Sequence, residues 1–573
     1  MRRALAVIVL LLAVAVATGT AGAGDNNSGF KTSQASMLTP LAAGSSVTPI
    51  ISVGESVGGY KFEALPDGIS LDPNGKGTVD VFVNHETSTV PFPYTPNAPT
   101  EANSQNDFVN SELSRLRLNQ HSAGVLNATF AIPSAANYQR FCSNYLATAK
   151  EGFTRPILFT NEEAVDWINR SGKAWPATIG ADEARQAGVA VAYDVKSGTY
   201  RSIWGMGRLN HENELAVAGY GKPVLLSGDD TFTNNPSQSQ LYSYIAPDTD
   251  TLLRDEGDLW AFVSDAAGVT KYEDFVPGSP MSITGHFTRV PKDIATGRNA
   301  DGSELMAADK GYPLPPNDGT WQRDQNGVGI DGPQWVLEHW SQINNVFRFV
   351  RVEDLAYDKR PGMSNVVYFA DSGRGTTGAP GPGKSTNGRV WRMVLDPADP
   401  TQVLSLSILI EGDDRAVKDP TRVHQPDNLE STANGLLITE DPGSSQQFPF
   451  GSDTAGSSNF DANATTARLM QYRFAGPGVV TPAAKVNQSA DEGPTDVDGQ
   501  SGVFAPGNLG AWESSGVVDA SSVFGPGAFL IDVQAHTLWV EKAPGDDNFP
   551  PAGPDFTFKR EGGQLILLHI PGA

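Results

Sequence analysis

The 573-residue chain has a single cysteine, Cys142. An internal disulfide is excluded, and an unpaired thiol in an exported chain is worth marking. It is either a small buried hydrophobe or a thiolate held by metal or catalysis, and composition alone favours the first. Positive charge is also short: 41 Lys and Arg face 65 Asp and Glu, a formal net charge of −24. Such a surface repels polyanions, so nucleic acid is not expected as a partner. It suits cations, although excess acid also serves plain solubility. Long apolar runs are missing too. Spanning a bilayer takes roughly 20 apolar residues, and no segment reaches that length, so no membrane span is expected. Helix-period patterns are scarce, with candidates only at 111–118, 182–186 and 331–340.

The N-terminus carries Arg2-Arg3, an apolar run over 4–17 and the small residues Ala21-Gly22-Ala23. That order predicts a secretory signal peptide over 1–23 and a secreted or periplasmic protein. Residues 24–46 are small and polar and predict a flexible leader, leaving 47–573 as one domain. Arg2-Arg3 lacks the rest of a twin-arginine signal, so the export route stays open.

Glycine (60) and proline (40) are plentiful, and they punctuate a recurring unit. An apolar or β-branched run ends in a knot of carboxylates, amides or imidazole. The runs 79–83, 155–159, 223–226, 365–369, 435–438 and 527–533 lead respectively into Asn84-His85-Glu86, Asn161-Glu162-Glu163, Gly228-Asp229-Asp230, Asp371, Glu440-Asp441 and Gln534 with His536. Apolar runs bounded by turn signals read as strands buried on both faces. The units average roughly ninety residues, a plain four-stranded blade with enlarged loops. An all-β propeller with long loop insertions and a few short helices accounts for the pattern, with a β-sandwich as the alternative. In a propeller the innermost strands would aim these knots at one axis.

Hard cations such as Ca²⁺ take six to eight oxygen ligands, and iron accepts carboxylate, imidazole and thiolate. The donors on offer are Glu86, Glu162, Glu163, Glu212, Asp229, Asp230, Glu353, Asp427, Glu440 and Asp441. Each alone is more often a turn cap; the repetition is what counts. His211-Glu212 follows Gly207-Arg208. Arg351 and Glu353 project from one strand face, which suits a metal ligand beside a guanidinium that grips a phosphoryl group, or a structural salt bridge. Gly54-Glu55-Ser56-Val57-Gly58 matches the nucleophile elbow by letter, but Gly58-Gly59 and Pro66 leave no room for the helix that elbow needs. The stretch 378–385 matches a phosphate-cradling loop by letter, yet Pro380 and Pro382 lack the N–H groups that cradle phosphate. Without a resident nucleophile, metal-activated water is the natural engine.

These strings resemble the PhoX-type alkaline phosphatases, a group of secreted propeller enzymes. Asn84-His85-Glu86, Phe141-Cys142-Ser143-Asn144, Thr160-Asn161-Glu162-Glu163, Gly207-Arg208 with His211-Glu212, Gly228-Asp229-Asp230, Arg351 to Asp354 and Gln425-Pro426-Asp427-Asn428-Leu429 fall in the family's order. The resemblance implies a six-bladed β-propeller with Fe³⁺ and Ca²⁺ on its axis. It implies Glu86, Cys142, Glu162, Glu163, Glu212 and Glu353 as metal ligands, with Cys142 on iron, and Arg351 as the catalytic phosphate contact. The implied activity is hydrolysis of small extracellular phosphate monoesters by a phosphoric monoester hydrolase; a monomer is expected, although the sequence does not itself fix the oligomeric state. Val352 replaces the family's proline, Asn161 replaces its second cysteine, and 513–524 matches loosely. A calcium-dependent propeller lactonase or esterase, and a non-catalytic calcium-stabilised binding protein, are the alternatives.

Overall fold

The structure, a computed structural model, describes residues 28–86, 111–165, 167–169, 184–231, 235–276, 281–323, 327–374, 387–415, 419–442, 447, 466–476, 478–488, 512–541 and 556–573. The signal peptide and the 378–385 loop lie outside them. Among the described residues no helix is long and apolar enough to cross a membrane.

The chain is mostly strand, in a propeller-like arrangement of antiparallel sheets. The first sheet joins Pro66–Pro73, Thr78–His85, Glu112–Asn119 and Val125–Ile132, and the second joins Phe141–Ala147, Ile157–Glu162, Ala190–Asp194 and Thr199–Ile203. A nine-stranded sheet follows, running from His211–Ala216 at one edge to Val352–Tyr357 at the other. The next sheet starts at Pro426–Ser431, and the last starts at Trp512–Asp519. Both end on a strand from the N-terminus: Leu38–Pro40 pairs with Val480–Val486, and Ser46–Ser52 with Phe556–His569. Pairing early strands with late ones closes the chain on itself.

Six strands form a closed circuit. Pro66–Pro73 touches Phe141–Ala147, which touches His211–Ala216, then Val352–Tyr357, Pro426–Ser431, Trp512–Asp519, and so back to Pro66–Pro73. The apolar runs picked out in the sequence are not these inner strands. Each lies one strand further out, as in Thr78–His85 or Gly435–Glu440. The physical reason is burial: the second strand has sheet neighbours on both edges and packed side chains on both faces, whereas the inner strand faces the polar axis.

Every inner strand carries a β-bulge at the same place. In the first sheet Pro66 faces His85 and Ile69 faces Val83, so three residues on one strand match two on its partner. The same skip separates 141 from 144, 211 from 214, 352 from 355, 426 from 429 and 514 from 517. A bulge bends its strand and re-aims side chains. At Gly68 the neighbouring strand comes so close that a Cβ would sit 2.2 Å from Asn144 N.

Two of the three expected helices are strands. Residues 112–119 alternate: Leu116 and Leu118 are buried in the core, while Arg115 and Arg117, two apart on the other face, both grip Asp80 on the adjacent strand. Cross-strand pairing outweighs the helix propensity of that stretch. Ala184–Gln186 pairs with Trp167–Asn169. The third expectation holds as the helix Pro333–Ile343, with proline at its first turn. Part of the expected loose leader packs against the body: Phe30 N–H donates to Val125 O at 2.8 Å, and Met37 and Leu38 are buried. Ser56 starts a two-residue hairpin strand with Tyr60–Lys61 rather than a helix, which removes the elbow reading.

Candidate metal centre

The residue immediately inside each bulge points at the axis: Asp67, Cys142, Glu212, Glu353, Asp427 and Ser515. A second tier comes from the residue just past the end of five of the second strands, Glu86, Glu163, Asp230, Ser372 and Asp441, and from Gln534 within the longer strand Ala528–Glu541. Their placement follows one backbone rule. The N–H groups of Glu86, Glu163, Asp230, Ser372 and Asp441 donate to the carbonyls of Leu65, Arg140, Asn210, Arg351 and Gln425 at 2.9–3.1 Å, and Gln534 faces Glu513 in the ladder. Twelve positions, far apart in sequence, therefore converge.

Three donor groups result, each with its ligand atoms within 4.8 Å of one another: Asp67, Glu86 and Cys142; Cys142, Glu163 and Glu212; Glu212, Glu353 and Asp427. Cys142 and Glu212 are each shared by two groups, so the three form a chain. Cys142 Sγ lies 2.8 Å from Asp67 Oδ2 and 3.2 Å from Glu212 Oε1. Gln534 Nε2 donates to Asp67 Oδ2 at 3.0 Å and Glu86 Oε2 at 3.1 Å. Ser515 Oγ donates to Asp67 Oδ1 at 2.7 Å, and Ser372 Oγ to Glu353 Oε1 at 2.5 Å. Arg351 closes one side: its Nε and Nη2 fork onto Asp230 Oδ1 and Oδ2 at 2.7 and 2.5 Å, and Nη2 lies 3.3 Å from Glu353 Oε1.

The electrostatics are severe. Two carboxylates about 5 Å apart at an effective dielectric near 20 repel by about 3 kcal/mol, and here several such pairs share one buried volume. Burial, followed by repulsion from Glu353 and Asp427, pushes Glu212 well above the usual carboxylate range. Glu163, Asp427 and Glu513 are raised in the same way, burial first and neighbouring acids after; burial raises Glu353 as well, against the opposing pull of the Arg351 guanidinium. The Cys142 thiol is pushed up by burial, then by Asp67, Glu212, Glu86 and Glu163. Such a cluster must take up protons or cations. The donor set fits cations: carboxylate oxygens suit Ca²⁺, and one sulfur among carboxylates suits iron.

Of the residues expected from sequence, Glu86, Cys142, Glu163, Glu212 and Glu353 come together with Arg351 beside them. Glu162 does not. Its Oε1 accepts the Gln139 N–H at 3.0 Å, as Asp371 accepts Val350 N–H and Glu440 accepts His424 N–H in their own sheets. Consecutive strand residues point opposite ways, so Glu162 caps the turn that leads into Cys142 while Glu163 reaches the axis. The imidazoles stand off as well: His85 contacts Glu63 O and Ser114 Oγ, and His211 contacts Ser227 Oγ and Gly207 O. The sequence pattern does not mark Asp67 or Glu513, and it marks Asp427 as a possible donor and within the Gln425–Leu429 string but not among the implied ligands. A signal for Asp67 existed, because Pro66-Asp67 and Pro426-Asp427 are the same dipeptide at the same bulge.

No family model matches the chain, and no curated protein does. Among solved structures it is similar to the PQQ-bound aldose sugar dehydrogenase of Streptomyces coelicolor, at 11% identity over 92% of this chain and 99% of that one, with a TM-score of 0.28. The polysaccharide lyase Uly1 aligns at 6% identity over 94% and 98% of the two chains, with a TM-score of 0.29. The computationally designed protein Ika8 aligns at 7% identity over 91% and 99%, with a TM-score of 0.26. Likeness this low assigns no activity to the chain.

Proposed function

We propose that this chain is a secreted, six-bladed propeller phosphatase that uses iron and calcium to hydrolyse small phosphate monoesters. Two features support six blades: the circuit of six inner strands, and the bulge repeated on each, which makes the nine-stranded sheet two blades joined at their outer edges. The observation that carries the activity is the chain of three donor groups ending beside Arg351.

Asp67, Glu86, Glu163, Glu212 and Cys142 would hold iron, since they surround the one sulfur; Glu212, Glu353 and Asp427 offer oxygen only and suit calcium. When bound, these cations supply Lewis acidity toward phosphoryl oxygens. Arg351 does the rest of the electrostatic work. The Asp230 fork fixes its plane, and its Nη1 makes no hydrogen bond among the described residues, leaving that edge for a phosphoryl oxygen. A guanidinium held in advance of reaction stabilises developing charge without reorganising. Asp371 accepts the Val350 and Arg351 N–H groups at 3.1 and 3.2 Å, so the backbone under Arg351 is fixed too.

The test is turnover of an aryl phosphate by purified protein with iron and calcium supplied separately and together. Activity that needs both metals supports the proposal. Activity on lactones or carboxylic esters with calcium alone would replace it with the esterase reading, and metal binding without turnover of either substrate would replace it with a binding protein.

A further inference from the structure

Beyond the bulges, the six inner strands run on to the opposite end of the axis and enclose a second cavity of about 190 Å³. One layer of side chains separates it from the carboxylate cluster. That layer includes Asn213 and Asp354, the neighbours in sequence of Glu212 and Glu353, joined by a hydrogen bond from Asn213 Nδ2 to Asp354.

The walls are apolar: Ile69, Leu215, Leu355, Leu429 and Val517. Polar side chains share the lining, and those that carry formal charge are mostly anionic. Asn213, 3% exposed, lines the inner end and leaves its Oδ1 without a hydrogen-bond partner. Three carboxylates, Asp354, Glu430 and Asp519, line the cavity against one ammonium, Lys359. The mouth already shows which group it prefers. Lys359 Nζ sits 2.5 Å from Glu430 Oε1, and Lys150 Nζ lies 5.0 Å from the centre of the Tyr357 ring. A lining carboxylate thus already holds a primary ammonium by ion pairing, and the ring of the lining residue Tyr357 attracts a second, from a lysine outside the lining, by cation–π attraction.

We infer that this far-side cavity binds small amphiphilic primary ammonium compounds. The ammonium head replaces Lys359 on Glu430 and the alkyl body lies against the leucine and isoleucine walls. Burial of the alkyl body against these walls adds a hydrophobic contribution that a bare ammonium ion lacks. The inference does not depend on the phosphatase reading.

The experiment is calorimetric titration of the full metal-loaded protein with n-butylammonium, n-butanol and butyrate. Lys359 is 30% exposed on its side chain, so Lys359→Ala removes the resident ammonium without opening the core. The expected result is saturable n-butylammonium binding that tightens at least tenfold in Lys359→Ala, with butanol weaker and butyrate not bound. Adding Glu430→Gln to that variant abolishes the gain. No saturable binding in Lys359→Ala, equal affinity for butanol, or a gain that survives Glu430→Gln would each overturn the inference.

Discussion

Arg351 and Asp230, 121 residues apart, meet in a two-pronged ion pair of 2.7 and 2.5 Å at the edge of the carboxylate cluster. Asp230 is fully buried and Arg351 retains partial exposure, so the pair has a fixed base and an open edge. Arg351 is therefore aimed by a residue from a neighbouring inner strand's partner, not by its own strand alone.

Asp230→Asn should leave Arg351 in place but loosen its plane, because an amide offers one acceptor where the fork uses two. Misplacing a catalytic group by about 1 Å costs on the order of 10²-fold. The expected outcome is a fall in kcat/KM on an aryl phosphate of about that size that added metal does not restore. Unchanged kinetics would show that the fork does not orient Arg351 for turnover.

Glu162 and Glu163 should separate cleanly although they are adjacent. Glu163→Gln removes a donor from the Cys142–Glu212 group and should lower bound metal as measured by elemental analysis. Glu162→Gln weakens a turn cap on the Gln139 N–H and should cost about 1 kcal/mol of stability with metal content unchanged. The reverse assignment of effects would undo the division into axial and capping carboxylates.

The recurring unit, the strand-rich class and most of the axial donors were legible in the sequence because they depend on local pattern: an apolar run, then a polar knot. What stayed hidden depends on register. Whether Glu162 or Glu163 faces the axis follows from a single-residue offset at the strand end, and a shift of one residue moves a side chain to the opposite face. Asp67 stayed hidden because its inner strand has no long apolar run to announce it. In the strand Glu112–Asn119, Leu113 and Leu116 fall at helical spacing, whereas the deciding partner of Arg115, Asp80, lies 35 residues away. The far-side cavity is assembled from short stretches of six strands far apart in sequence and leaves no local trace.

Cys142→Ser should test the sulfur directly. A hydroxyl of serine is a poorer iron ligand than a thiolate, so bound iron and any visible absorption should fall together while calcium content holds. Retention of both iron and spectrum would take Cys142 out of the site.

Gly68→Ala should be costly despite its small size. The new Cβ would lie 2.2 Å from Asn144 N and 2.5 Å from Ser143 C, both backbone atoms that cannot rotate away. The two inner strands would have to separate, and overpacking of this kind costs about 1–3 kcal/mol or more. Because Asp67 and Cys142 flank that contact, metal content should fall along with the melting temperature. A variant with parental stability would show that the strands have slack at this point.

Glu338 gives a pH prediction outside the carboxylate cluster. It lies on the buried face of Pro333–Ile343, and burial pushes its carboxyl up to about 7, although Gln342 and Gln240 each donate to it at 2.7 Å. A folded-state pKa above the ordinary value of 4.5 means that the folded protein keeps this proton after the unfolded chain has released it. Stability from this group is therefore full below about pH 4.5 and declines as pH rises to about 7, by about 3 kcal/mol in total. Glu338→Gln cannot ionise, so its unfolding free energy relative to the parent should rise between pH 5 and pH 8 and favour the variant at the upper end. Urea melts of both proteins at those two pH values decide it: parallel stabilities across the range would mean that Glu338 titrates normally in the fold.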